Sequence, residues 1–415
     1  MRSMGEGKST RVLVVGAGPV GLLTTLMLAQ GGIDVDVIES MTEIDPRPRG
    51  IAYGPPAVNV LRRAGVLDEV LKRGIEGKRL IWRELNGKKI TEIDFTSDPT
   101  FVDRSVILPV HLLAGLLYEE VSKLDNAKVH WGCKFVGHTQ DDSHVLVKAE
   151  RNGKTETFDV DFMVGCDGGR SSVRRALFND SFPGKTWDVQ IIRYDGFDKA
   201  GWSDTQWIVD PEHWGMACKI DNTGLWRFGY GERVTFDEKD LKASMAAKLK
   251  VLLPGAPEEG EYEVLRWSPF VMNNRCVEKM HVGRVLLAGD AAHLCNPMGG
   301  LGLTGGISDV GSLVDALQGI HEGKASLKIL EIYDQTRREI FHKFIDPISS
   351  ANLERIWIDG STALEKDPAL QFMHAASQDP AKLAHLIRAQ DVLSADLTKH
   401  YDLNNGVSAS AGIKG

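Results

Sequence analysis

Residues 11–39 constrain the fold more than any other part of the chain. RVLVVGAG is a short β-branched run that ends in glycine, GLLTTLMLAQGG is an apolar helical stretch that ends in a glycine pair, and DVDVIES is a second strand. This order predicts a β-α-β unit, in which the two strands lie parallel. The sequence therefore predicts an α/β domain built on a parallel sheet.

The turn inside this unit carries a dinucleotide-binding pattern. Gly16, Gly18 and Gly21 fit G-x-G-x-x-G, and Pro19 and Val20 stand between the last two glycines. In such turns the first glycine allows a tight bend, the second lets the backbone approach a pyrophosphate, and the third lets helix and strand pack closely. We therefore predict that these five residues bind a dinucleotide cofactor.

An acidic residue follows at the spacing that ribose recognition requires. Glu39 ends the second strand 18 residues after Gly21, where a carboxylate can accept hydrogen bonds from ribose hydroxyls, and Ser40 comes next. A ribose 2′-phosphate is disfavoured here because two negative groups would meet. The first site is therefore expected to hold FAD or NAD, not NADP.

A second glycine-rich turn, VGCDGGRSSVRR, occupies residues 164–175. Asp167 stands at a predicted strand end, and the two glycines after it allow close approach of another backbone or a ligand. Two interpretations stay open: Asp167 contacts the cofactor, or it caps a glycine turn.

A third stretch, GDAAHLCNPMGGLGLTGG at residues 289–306, joins an apolar strand to an amphipathic helix. Asp290 follows the strand at the helix entrance, where the positive helix end favours electron-rich groups. The glycines leave room for a flat ring system, and bare amides can hydrogen-bond ring oxygens. We expect a large planar cofactor here, with Asp290 at its polyol chain and His293 in a structural or cofactor-lining role. The alternative, a flexible glycine loop, fits poorly between two apolar elements.

Composition narrows the class of protein. The 415 residues are 42% hydrophobic and 26% charged, which is ordinary for a soluble globular chain. A net charge of -8 without any long basic block argues against a nucleic-acid partner. Five scattered cysteines favour reduced thiols and a cytoplasmic location, and no metal site is expected. The uncharged run at residues 12–29 contains glycines and a proline that fit the dinucleotide turn, so no membrane partner is expected.

The pattern along the chain predicts a doubly wound α/β domain that a mostly antiparallel sheet interrupts. Residues 80–100 indicate a hairpin around Asn86-Gly87, and residues 186–265 indicate aromatic-rich strands. Antiparallel strands are also expected over residues 128–168, and helices after residue 346. The predicted units are a cofactor domain at 1–78, 101–185 and 266–345, a substrate-binding sheet at 79–100 and 186–265, and a C-terminal helical segment at 346–415.

Taken in chain order, GAGPVG with Glu39, GCDGGRSSVR, and GRVLLAGDAAHLCNPMGGLGLTGG resemble the motifs of group A flavoprotein monooxygenases, the family related to para-hydroxybenzoate hydroxylase. The resemblance covers roughly residues 10–345 and rests on three separate motifs in the family order. It implies one bound FAD in a Rossmann-like domain. It also implies that NAD(P)H acts as a transient co-substrate for which the protein has no separate nucleotide-binding domain.

The resemblance also implies roles for individual residues. Asp167 matches an acid that serves both FAD and NAD(P)H binding, and Asp290 matches the contact to the ribityl chain. Further matches are the segment that passes the cofactor, Arg49 and Gly50, and the loop against the isoalloxazine ring, Pro297, Gly300, Gly302 and Leu303. The resemblance implies that backbone amides of that loop stabilise negative charge on the reduced ring.

Two positions depart from the family pattern. Pro109 stands where the family usually has an arginine that contacts the flavin, and Thr304 stands where it usually has an asparagine. The fold expectation is unchanged, whereas the local surroundings of the flavin are expected to differ from the family's.

The activity that the resemblance implies is hydroxylation of a phenolic or other electron-rich aromatic substrate. NAD(P)H and O2 are consumed through a flavin C4a-hydroperoxide, with secondary metabolism as an expected setting. The alternatives are an FAD-linked reductase or halogenase on the same scaffold, and a non-catalytic FAD-binding protein. The halogenase segment W-x-W-x-I-P does not occur in the sequence. A monomer and a homodimer both stay open.

Substrate-side residues follow from phenol chemistry. A cation or a phenolic hydroxyl near the substrate lowers the pKa of the substrate hydroxyl or orients its ring. Arg193 and Tyr230, on neighbouring predicted strands, are the catalytic candidates. The alternatives are a surface ion pair for Arg193 and a core position for Tyr230. Arg227 is a candidate for a flavin contact.

Overall fold

The computed structural model of the protein describes most of the chain between residues 9 and 401. The described residues are 9–46, 50–97, 104–179, 182, 184–185, 191–194, 196–202, 204–221, 224–231, 238–266 and 272–401. Over these ranges no helix combines the length and apolarity that crossing a membrane requires. The same ranges contain no group of three His, Cys, Asp or Glu side chains suited to hold a metal ion.

A six-stranded sheet carries the predicted β-α-β unit. Its strands, in spatial order, are His281–Val282, Val285–Leu287, Phe162–Gly165, Arg11–Val15, Asp34–Glu39 and Ala127–Trp131. Neighbours pair in parallel except at the edge strand His281–Val282, which is antiparallel. Val12, Leu13 and Val14 are fully buried, as a central parallel strand requires. The predicted α/β class is confirmed.

Residues 128–168 differ from the prediction of antiparallel strands. The antiparallel part is a three-stranded sheet of Lys134–Gln140, Val145–Arg151 and Lys154–Val160. The segments before and after it, Ala127–Trp131 and Phe162–Gly165, belong to the parallel sheet. Phe162, Met163 and Val164 are all buried, and such a continuous apolar run is typical of a strand covered on both faces. The prediction missed this run because an alternating pattern surrounds it.

Helices pack around the sheets, and several carry proline in their first turn, where its missing N–H is not needed. The helices are Pro19–Gln30, Pro55–Arg63, Leu67–Arg73, Val110–Val121, Ser172–Phe178, Gly196–Lys199, Glu238–Leu252, Leu301–His321, Ile329–Ile340, Asp346–Arg355, Ala363–Lys366, Pro368–Ser377 and Pro380–Arg388. Shorter helical turns are Gly289–Ala291, Phe341–Ile345, Gly360–Thr362, Ala389–Leu393 and Leu397–His400. Pro19–Gln30 packs against Val110–Val121 and Leu301–His321.

A seven-stranded sheet forms the second large layer. Its strands, in spatial order, are Glu263–Arg266, Ile191–Arg193, Leu225–Tyr230, Gly215–Lys219, Thr205–Val209, Arg79–Glu84 and Lys89–Asp94. The one parallel pair in this sheet joins Thr205–Val209 to Arg79–Glu84, and its other strand pairs are antiparallel. The hairpin predicted around Asn86-Gly87 is present and forms the last two strands. Two small sheets contain Ala52–Tyr53, Val106–Ile107 and Ile75–Glu76, and Gly184–Lys185, Asn274–Cys276 and His293–Leu294.

Within the predicted strand region 186–265, Glu238–Leu252 is a helix. Its sequence, EKDLKASMAAKLKVL, is rich in alanine, lysine and leucine, which are strong helix formers. Leu249 and Leu252 are buried on one of its sides. The strand prediction is wrong here because it rested on the aromatic content of the whole region, and this segment contains no aromatic residue.

The two faces of the seven-stranded sheet are covered by different parts of the chain. One face carries an aromatic cluster under the Glu238–Leu252 helix, formed by Tyr194, Phe197, Trp202, Trp226, Phe228 and Tyr230. On the other face Trp82, Trp207 and Met216 pack against apolar side chains from residues 353–387. The C-terminal helices therefore cover the second face of this sheet.

Phe197 is the centre of the aromatic cluster, and its removal tests how strongly the cluster stabilises the fold. It is fully buried, and its ring centre lies 4.7 Å from Trp226, 5.2 Å from Trp202 and 5.4 Å from Tyr194. Phe197→Ala is expected to lower the free energy of unfolding by about 3–5 kcal/mol, because truncating a large core side chain leaves a cavity. Denaturant unfolding followed by circular dichroism measures this change.

Phe372→Ala is the matched control, because Phe372 is 43% exposed. This substitution is expected to change the free energy of unfolding by about 0.5 kcal/mol or less. Equal effects of the two substitutions would contradict a stabilising role for the cluster.

Candidate functional site

Two glycines of the first motif are required by the packing of the turn itself. Gly16 has a φ of +106°, and a Cβ there would lie 2.6 Å from the carbonyl oxygen of Cys166. A Cβ on Gly21 would lie 1.9 Å from the carbonyl oxygen of Gly16. The helix that begins at Pro19 can therefore approach the strand closely only with glycine at both positions.

Neither the backbone conformation at position 18 nor the neighbouring atoms require a glycine there. The φ of Gly18 is -76°, and a Cβ there would meet no atom within 4 Å. The open space lies at the N-terminus of the Pro19–Gln30 helix, where backbone N–H groups and the helix dipole favour a phosphate group. The residues present therefore fit the predicted pyrophosphate site.

Glu39 is fixed beside this turn. Its carboxylate accepts hydrogen bonds from the backbone N–H of Ala17 at 2.9 Å, the backbone N–H of Met41 at 2.8 Å and the Ser40 hydroxyl at 3.0 Å. An ionised carboxylate has about four lone-pair positions, so one acceptor position remains for a ligand hydroxyl. The geometry is compatible with the predicted ribose contact.

In the second motif, Asp167 caps the Ser172–Phe178 helix. Its carboxylate accepts hydrogen bonds from the Ser171 hydroxyl, the backbone N–H of Ser172 at 2.5 Å and the backbone N–H of Val173 at 3.2 Å. Burial raises the pKa of Asp167, and these hydrogen bonds act in the opposite direction. The capping interpretation that the sequence left open is therefore correct, and a cofactor contact stays a prediction.

Arg174 joins the second motif to the third, and the sequence did not single it out. Its buried guanidinium donates to the carbonyl oxygens of Gly169 at 2.7 Å, Ala291 at 3.1 Å and Asp290 at 3.4 Å. The same group lies 3.8 Å from the ring centre of Phe182. GGRSSVRR contains three arginines, and nothing in the local pattern distinguishes the buried one.

The first and third motifs contact each other directly. A Cβ on Gly289, whose φ is +62°, would lie 3.0 Å from Val20 Cγ2. A Cβ on Gly306 would lie 3.1 Å from the Cα of Gly289 and 3.3 Å from the same Val20 methyl. Asp290 is exposed at this junction. The structure therefore brings the predicted phosphate turn and the predicted ribityl contact to one place.

The segment predicted to hold the ring system, residues 297–303 and called the ring loop below, runs into the first turn of the Leu301–His321 helix. The backbone N–H of Gly300 donates to the carbonyl oxygen of Pro297 at 3.1 Å, and Gly300 has a φ of +66°. A Cβ on Gly302 would lie 3.5 Å from Cys295 Sγ, and one on Gly50 would lie 3.3 Å from a Leu303 methyl group. Gly50 and Leu303 are therefore neighbours, whereas Arg49 lies outside the described residues.

The two departures from the family pattern have local structural roles. The Thr304 hydroxyl donates to the carbonyl oxygen of Gly300 at 2.8 Å and accepts from the backbone N–H of Gly54 at 2.9 Å. Pro109 precedes the Val110–Val121 helix, and its carbonyl oxygen accepts from the backbone N–H of Leu113 at 3.1 Å. Thr304 thus ties the ring loop to the segment that follows Gly50.

A buried charge cluster holds the third motif in position. The Asp309 carboxylate accepts from the backbone N–H of Gly289 at 2.9 Å, from His293 Nε2 at 2.7 Å and from Arg337 Nε at 2.7 Å. Arg337 also donates to the carbonyl oxygens of Leu393 at 2.8 Å and Gly305 at 3.2 Å. His293 therefore has the structural role that the sequence favoured.

Burial alone would raise the pKa of Asp309, since water is excluded from its carboxylate. The charges of His293 and Arg337 and the hydrogen bonds outweigh this effect and hold the pKa of Asp309 at about 2. The carboxylate is therefore ionised at neutral pH.

An apolar cavity of about 130 Å³, called the tryptophan cavity below, lies against the ring loop. Its wall includes Trp82 and Trp207 from the seven-stranded sheet and Gly299 and Leu301 from the ring loop. The C-terminal part of the chain completes it with Ile348, Asn352, Met373, Ala389, Gln390, Val392 and Leu393. The sequence did not predict this contribution, because the segment after residue 346 carries no motif.

The predicted catalytic residues lie in different surroundings. Tyr230 is buried in the aromatic cluster, on the sheet face opposite Trp207. Arg193 is on the neighbouring strand, and its side chain lies outside the described part of the structure. The structure therefore does not bring Tyr230 to the tryptophan cavity, because its packing position is in the cluster.

Arg227 alternates with Trp226 and Phe228 along its strand, so its side chain projects from the face opposite the aromatic cluster. It pairs across the sheet with Cys218, which packs against Ile51. Burial lowers the pKa of Arg227. This position is beside the segment that follows Gly50, and it is compatible with the predicted flavin contact.

Comparisons with known proteins agree with these motifs. The family model described as FAD binding domain matches residues 9–347 of the chain. The match includes all three glycine-rich turns.

Two relatives share about a third of their residues with this chain. The chain is 35% identical to para-nitrophenol 4-monooxygenase of Pseudomonas sp. (strain WBC-3) over 364 residues, which are 86% of this chain and 88% of that protein. It is 33% identical to 6-hydroxy-3-succinoylpyridine 3-monooxygenase of Pseudomonas putida over 384 residues, covering 86% of this chain and 94% of that protein.

Solved structures share the architecture. The structure of p-nitrophenol 4-monooxygenase from Pseudomonas putida matches with a TM-score of 0.86 at 32% identity, covering 93% of this chain and 98% of that chain. The ternary complex of aklavinone-11 hydroxylase with FAD and aklavinone matches with a TM-score of 0.73 at 23% identity, covering 88% of this chain and 72% of that chain. The second likeness concerns the fold alone.

Gly18→Ala and Gly21→Ala form a matched pair that tests the first motif. The methyl group of Gly18→Ala enters open space, so the free energy of unfolding of the FAD-free protein is expected to change by about 1 kcal/mol or less. The same methyl group occupies the predicted phosphate site, so FAD affinity is expected to fall about tenfold or more, which equals about 1.4 kcal/mol or more.

Gly21→Ala places its methyl group against the Gly16 carbonyl oxygen and is expected to destabilise the FAD-free protein itself. Denaturant unfolding and quenching of FAD fluorescence measure the two quantities. Unchanged FAD affinity in Gly18→Ala would show that the open space does not receive the cofactor.

Asp309→Asn tests the buried charge cluster. The substitution keeps the shape of the side chain but removes the negative charge beside Arg337, so the free energy of unfolding is expected to fall by about 3–5 kcal/mol. Asp125→Asn, at an exposed aspartate, is the control and is expected to change it by about 0.5 kcal/mol or less.

The cluster also predicts the sign of a pH effect. The pKa of Asp309 is about 2 in the folded protein and about 3.9 in an unfolded chain, so the unfolded state binds more protons between these values. Stabilisation by Asp309 is therefore complete above about pH 5 and is lost as the pH falls towards about 2. Unfolding measured across this range is expected to show a smaller loss in Asp309→Asn than in Asp125→Asn. Identical pH profiles of the two variants would contradict the conclusion that Asp309 is ionised and stabilises the folded protein.

Proposed function

We propose that this chain, which belongs to the FAD binding domain family, is an FAD-dependent monooxygenase that hydroxylates a phenolic or other electron-rich aromatic substrate. The resemblance of its three motifs to group A flavoprotein monooxygenases is confirmed at the level of the family. The two relatives above are named as monooxygenases of a nitrophenol and of a hydroxypyridine. The observation that carries the proposal is that the ring loop also forms a wall of the tryptophan cavity.

The residues present fit FAD, because the space beside Gly18 is filled by no atom of the protein and is open to the cofactor phosphates. The proposed contacts are Gly16, Gly18, Pro19, Val20 and Gly21 for the pyrophosphate, Glu39 and Ser40 for the adenosine ribose, and Asp290 for the ribityl chain. Arg49, Gly50, Pro297, Gly300, Gly302 and Leu303 are proposed for the ring, and Asp167 for FAD and NAD(P)H together.

When bound, FAD supplies the redox chemistry that couples NAD(P)H oxidation to O2 reduction. Per turnover, NAD(P)H, O2, a proton and the aromatic substrate give NAD(P)+, water and the hydroxylated product. One oxygen atom therefore enters the ring, and the other leaves as water.

The chain's own contribution is to hold the substrate and exclude water. The stacked indoles of Trp82 and Trp207, with ring centres 4.7 Å apart, form a rigid apolar part of the cavity wall. The C-terminal segment supplies apolar side chains such as Met373 and Leu393 to the other side of the cavity. A water-poor cavity favours transfer of oxygen to the substrate over side reactions with solvent.

Charge control is proposed for the arginines of the neighbouring strands. Arg193 would stabilise a phenolate form of the substrate, because a nearby cation lowers the pKa of a phenol. Arg227 would contact the flavin. Tyr230, buried in the aromatic cluster, stays a prediction as a catalytic residue. Cytoplasmic location, a monomer or homodimer, and a setting in secondary metabolism belong to the same proposal.

Oxygen-18 labelling tests the function directly. The purified protein is expected to bind FAD and to oxidise NADH or NADPH faster when a phenol is added. With labelled O2, one labelled oxygen atom is expected in the product and none from labelled water.

The same assay separates the alternatives. An FAD-linked reductase would oxidise NAD(P)H without labelling any aromatic product, and a non-catalytic FAD-binding protein would do neither. Absence of label across a broad panel of phenols, with FAD bound and reduced, would overturn the proposal.

A further inference from the structure

We propose that Gln390 is a substrate-binding residue of the tryptophan cavity, and that its side-chain carboxamide hydrogen-bonds the hydroxyl group of a phenolic substrate. The residue lies in the helical turn Ala389–Leu393, far in sequence from the three glycine-rich motifs. The inference rests on the proposed function, because it names a group that would hold the substrate of that reaction.

The cavity lining contains few hydrogen-bonding groups that a ligand can reach. The indole N–H groups of the tryptophan pair are closed off from solvent. Among the described lining residues, Asn352 and Gln390 carry a side-chain amide. The Asn352 amide already serves the protein, because its Nδ2 donates to the carbonyl oxygen of Met298 at 3.3 Å and its Oδ1 accepts from Arg355. Gln390 is therefore the better candidate for binding a polar group of the ligand.

The carboxamide of Gln390 is accessible and has no partner among the described residues. The residue is partly exposed, and neither polar atom of its carboxamide is fully buried. No described residue hydrogen-bonds either of these atoms. A carboxamide both donates and accepts hydrogen bonds, and so does a hydroxyl group. The hydroxyl of a phenol can therefore pair with it without displacing any contact within the described part of the chain.

Gly54 places the carboxamide beside the ring loop. A Cβ on Gly54 would lie 2.3 Å from Gln390 Oε1 and 3.4 Å from Thr304 Cγ2. The backbone N–H of Gly54 donates to the Thr304 hydroxyl at 2.9 Å, and Thr304 directly follows the ring loop in the Leu301–His321 helix. The carboxamide therefore lies next to the proposed flavin site, where the reacting ring of a phenol has to be held.

The segment that carries Gln390 is fixed to the rest of the protein. Arg337 donates to the carbonyl oxygen of Leu393 at 2.8 Å, and the Ser312 hydroxyl donates to the carbonyl oxygen of Ala395 at 3.1 Å. A segment that is ordered before binding loses less conformational entropy when a ligand arrives. The backbone at Gln390 is thus held in place before the substrate binds.

Gln390→Met tests the hydrogen bond directly, because methionine keeps a similar shape but lacks the carboxamide. The probes are 4-methylphenol and 1,4-dimethylbenzene, which differ only by a methyl group in place of the hydroxyl. Titration of the FAD-loaded protein, followed by the flavin absorption spectrum, gives the Kd of each probe. The substitution is expected to weaken 4-methylphenol binding about 3- to 10-fold and to change 1,4-dimethylbenzene binding by about twofold or less.

Gln378→Met is the matched control, because Gln378 is an exposed glutamine of the same C-terminal segment. It is expected to change the Kd of either probe by about twofold or less. Equal weakening of both probes by Gln390→Met would overturn the inference. Weaker FAD binding in Gln390→Met, with unchanged probe binding, would assign the carboxamide to the cofactor and overturn it too.

Gly54→Ala displaces the carboxamide instead of removing it. The φ of Gly54 is -78°, which alanine also adopts, and the backbone N–H that donates to Thr304 is kept. The added methyl group would meet the end of the flexible Gln390 side chain, so 4-methylphenol binding is expected to weaken about threefold or more. In Gln390→Ala protein the same substitution is expected to change the Kd by about twofold or less, because no carboxamide remains. Equal effects of Gly54→Ala in the two proteins would overturn the inference.

The outcomes separate this inference from the proposed function. Incorporation of oxygen-18 into 4-methylphenol, with an unchanged Kd in Gln390→Met, would keep the function and overturn the role of Gln390. Weaker binding of 4-methylphenol alone in Gln390→Met, without label in any phenol of the panel, would overturn the function and keep Gln390 as a ligand-binding residue. If Gln390→Met does not fold, the comparison of Gly54→Ala with the unsubstituted protein decides the inference.

Discussion

The buried carboxylate of Asp309 is the interaction on which the geometry of the candidate site depends. It binds the backbone N–H of Gly289 at the start of the third motif, and it pairs with His293 and Arg337. Arg337 in turn holds the carbonyl oxygen of Leu393, which lines the tryptophan cavity. A single ionised group thus links the proposed ribityl contact to the wall of the proposed substrate cavity. Loss of its charge would therefore affect both parts of the site.

The three glycine-rich turns converge because each makes room for a neighbour. Gly21 admits the Gly16 carbonyl oxygen, Gly289 and Gly306 admit the Val20 side chain, and buried Arg174 ties the second turn to the third. Gly18 differs, since nothing in the protein fills the space beside it. This contrast separates the glycines that the packing of the turn requires from Gly18, which is proposed to face the cofactor phosphates. It also explains how a chain of ordinary composition forms one cofactor site from segments far apart in sequence.

The sequence alone predicted those elements that depend on interactions between residues close together in the chain. A β-branched run that ends in glycine, the glycine spacing and a terminal acid predicted the Arg11–Val15 and Asp34–Glu39 strands with their turn, and Asn86-Gly87 predicted a hairpin. The Glu238–Leu252 helix was missed because regional aromatic content was given more weight than local propensity. The Trp82–Trp207 pair depends on strand pairing between residues more than 120 positions apart, and the C-terminal wall depends on packing without any motif. Neither is encoded in a local pattern, so the cavity and the aromatic-cluster position of Tyr230 required the structure.

A crystal structure of the FAD-loaded protein grown with 4-methylphenol tests the central claim most directly, because it locates both molecules at once. The account predicts the FAD pyrophosphate at Gly18, the flavin ring against the loop at residues 297–303, and the phenol between that loop and the stacked indoles. Flavin density inside the tryptophan cavity, or a phenol bound elsewhere, would contradict it.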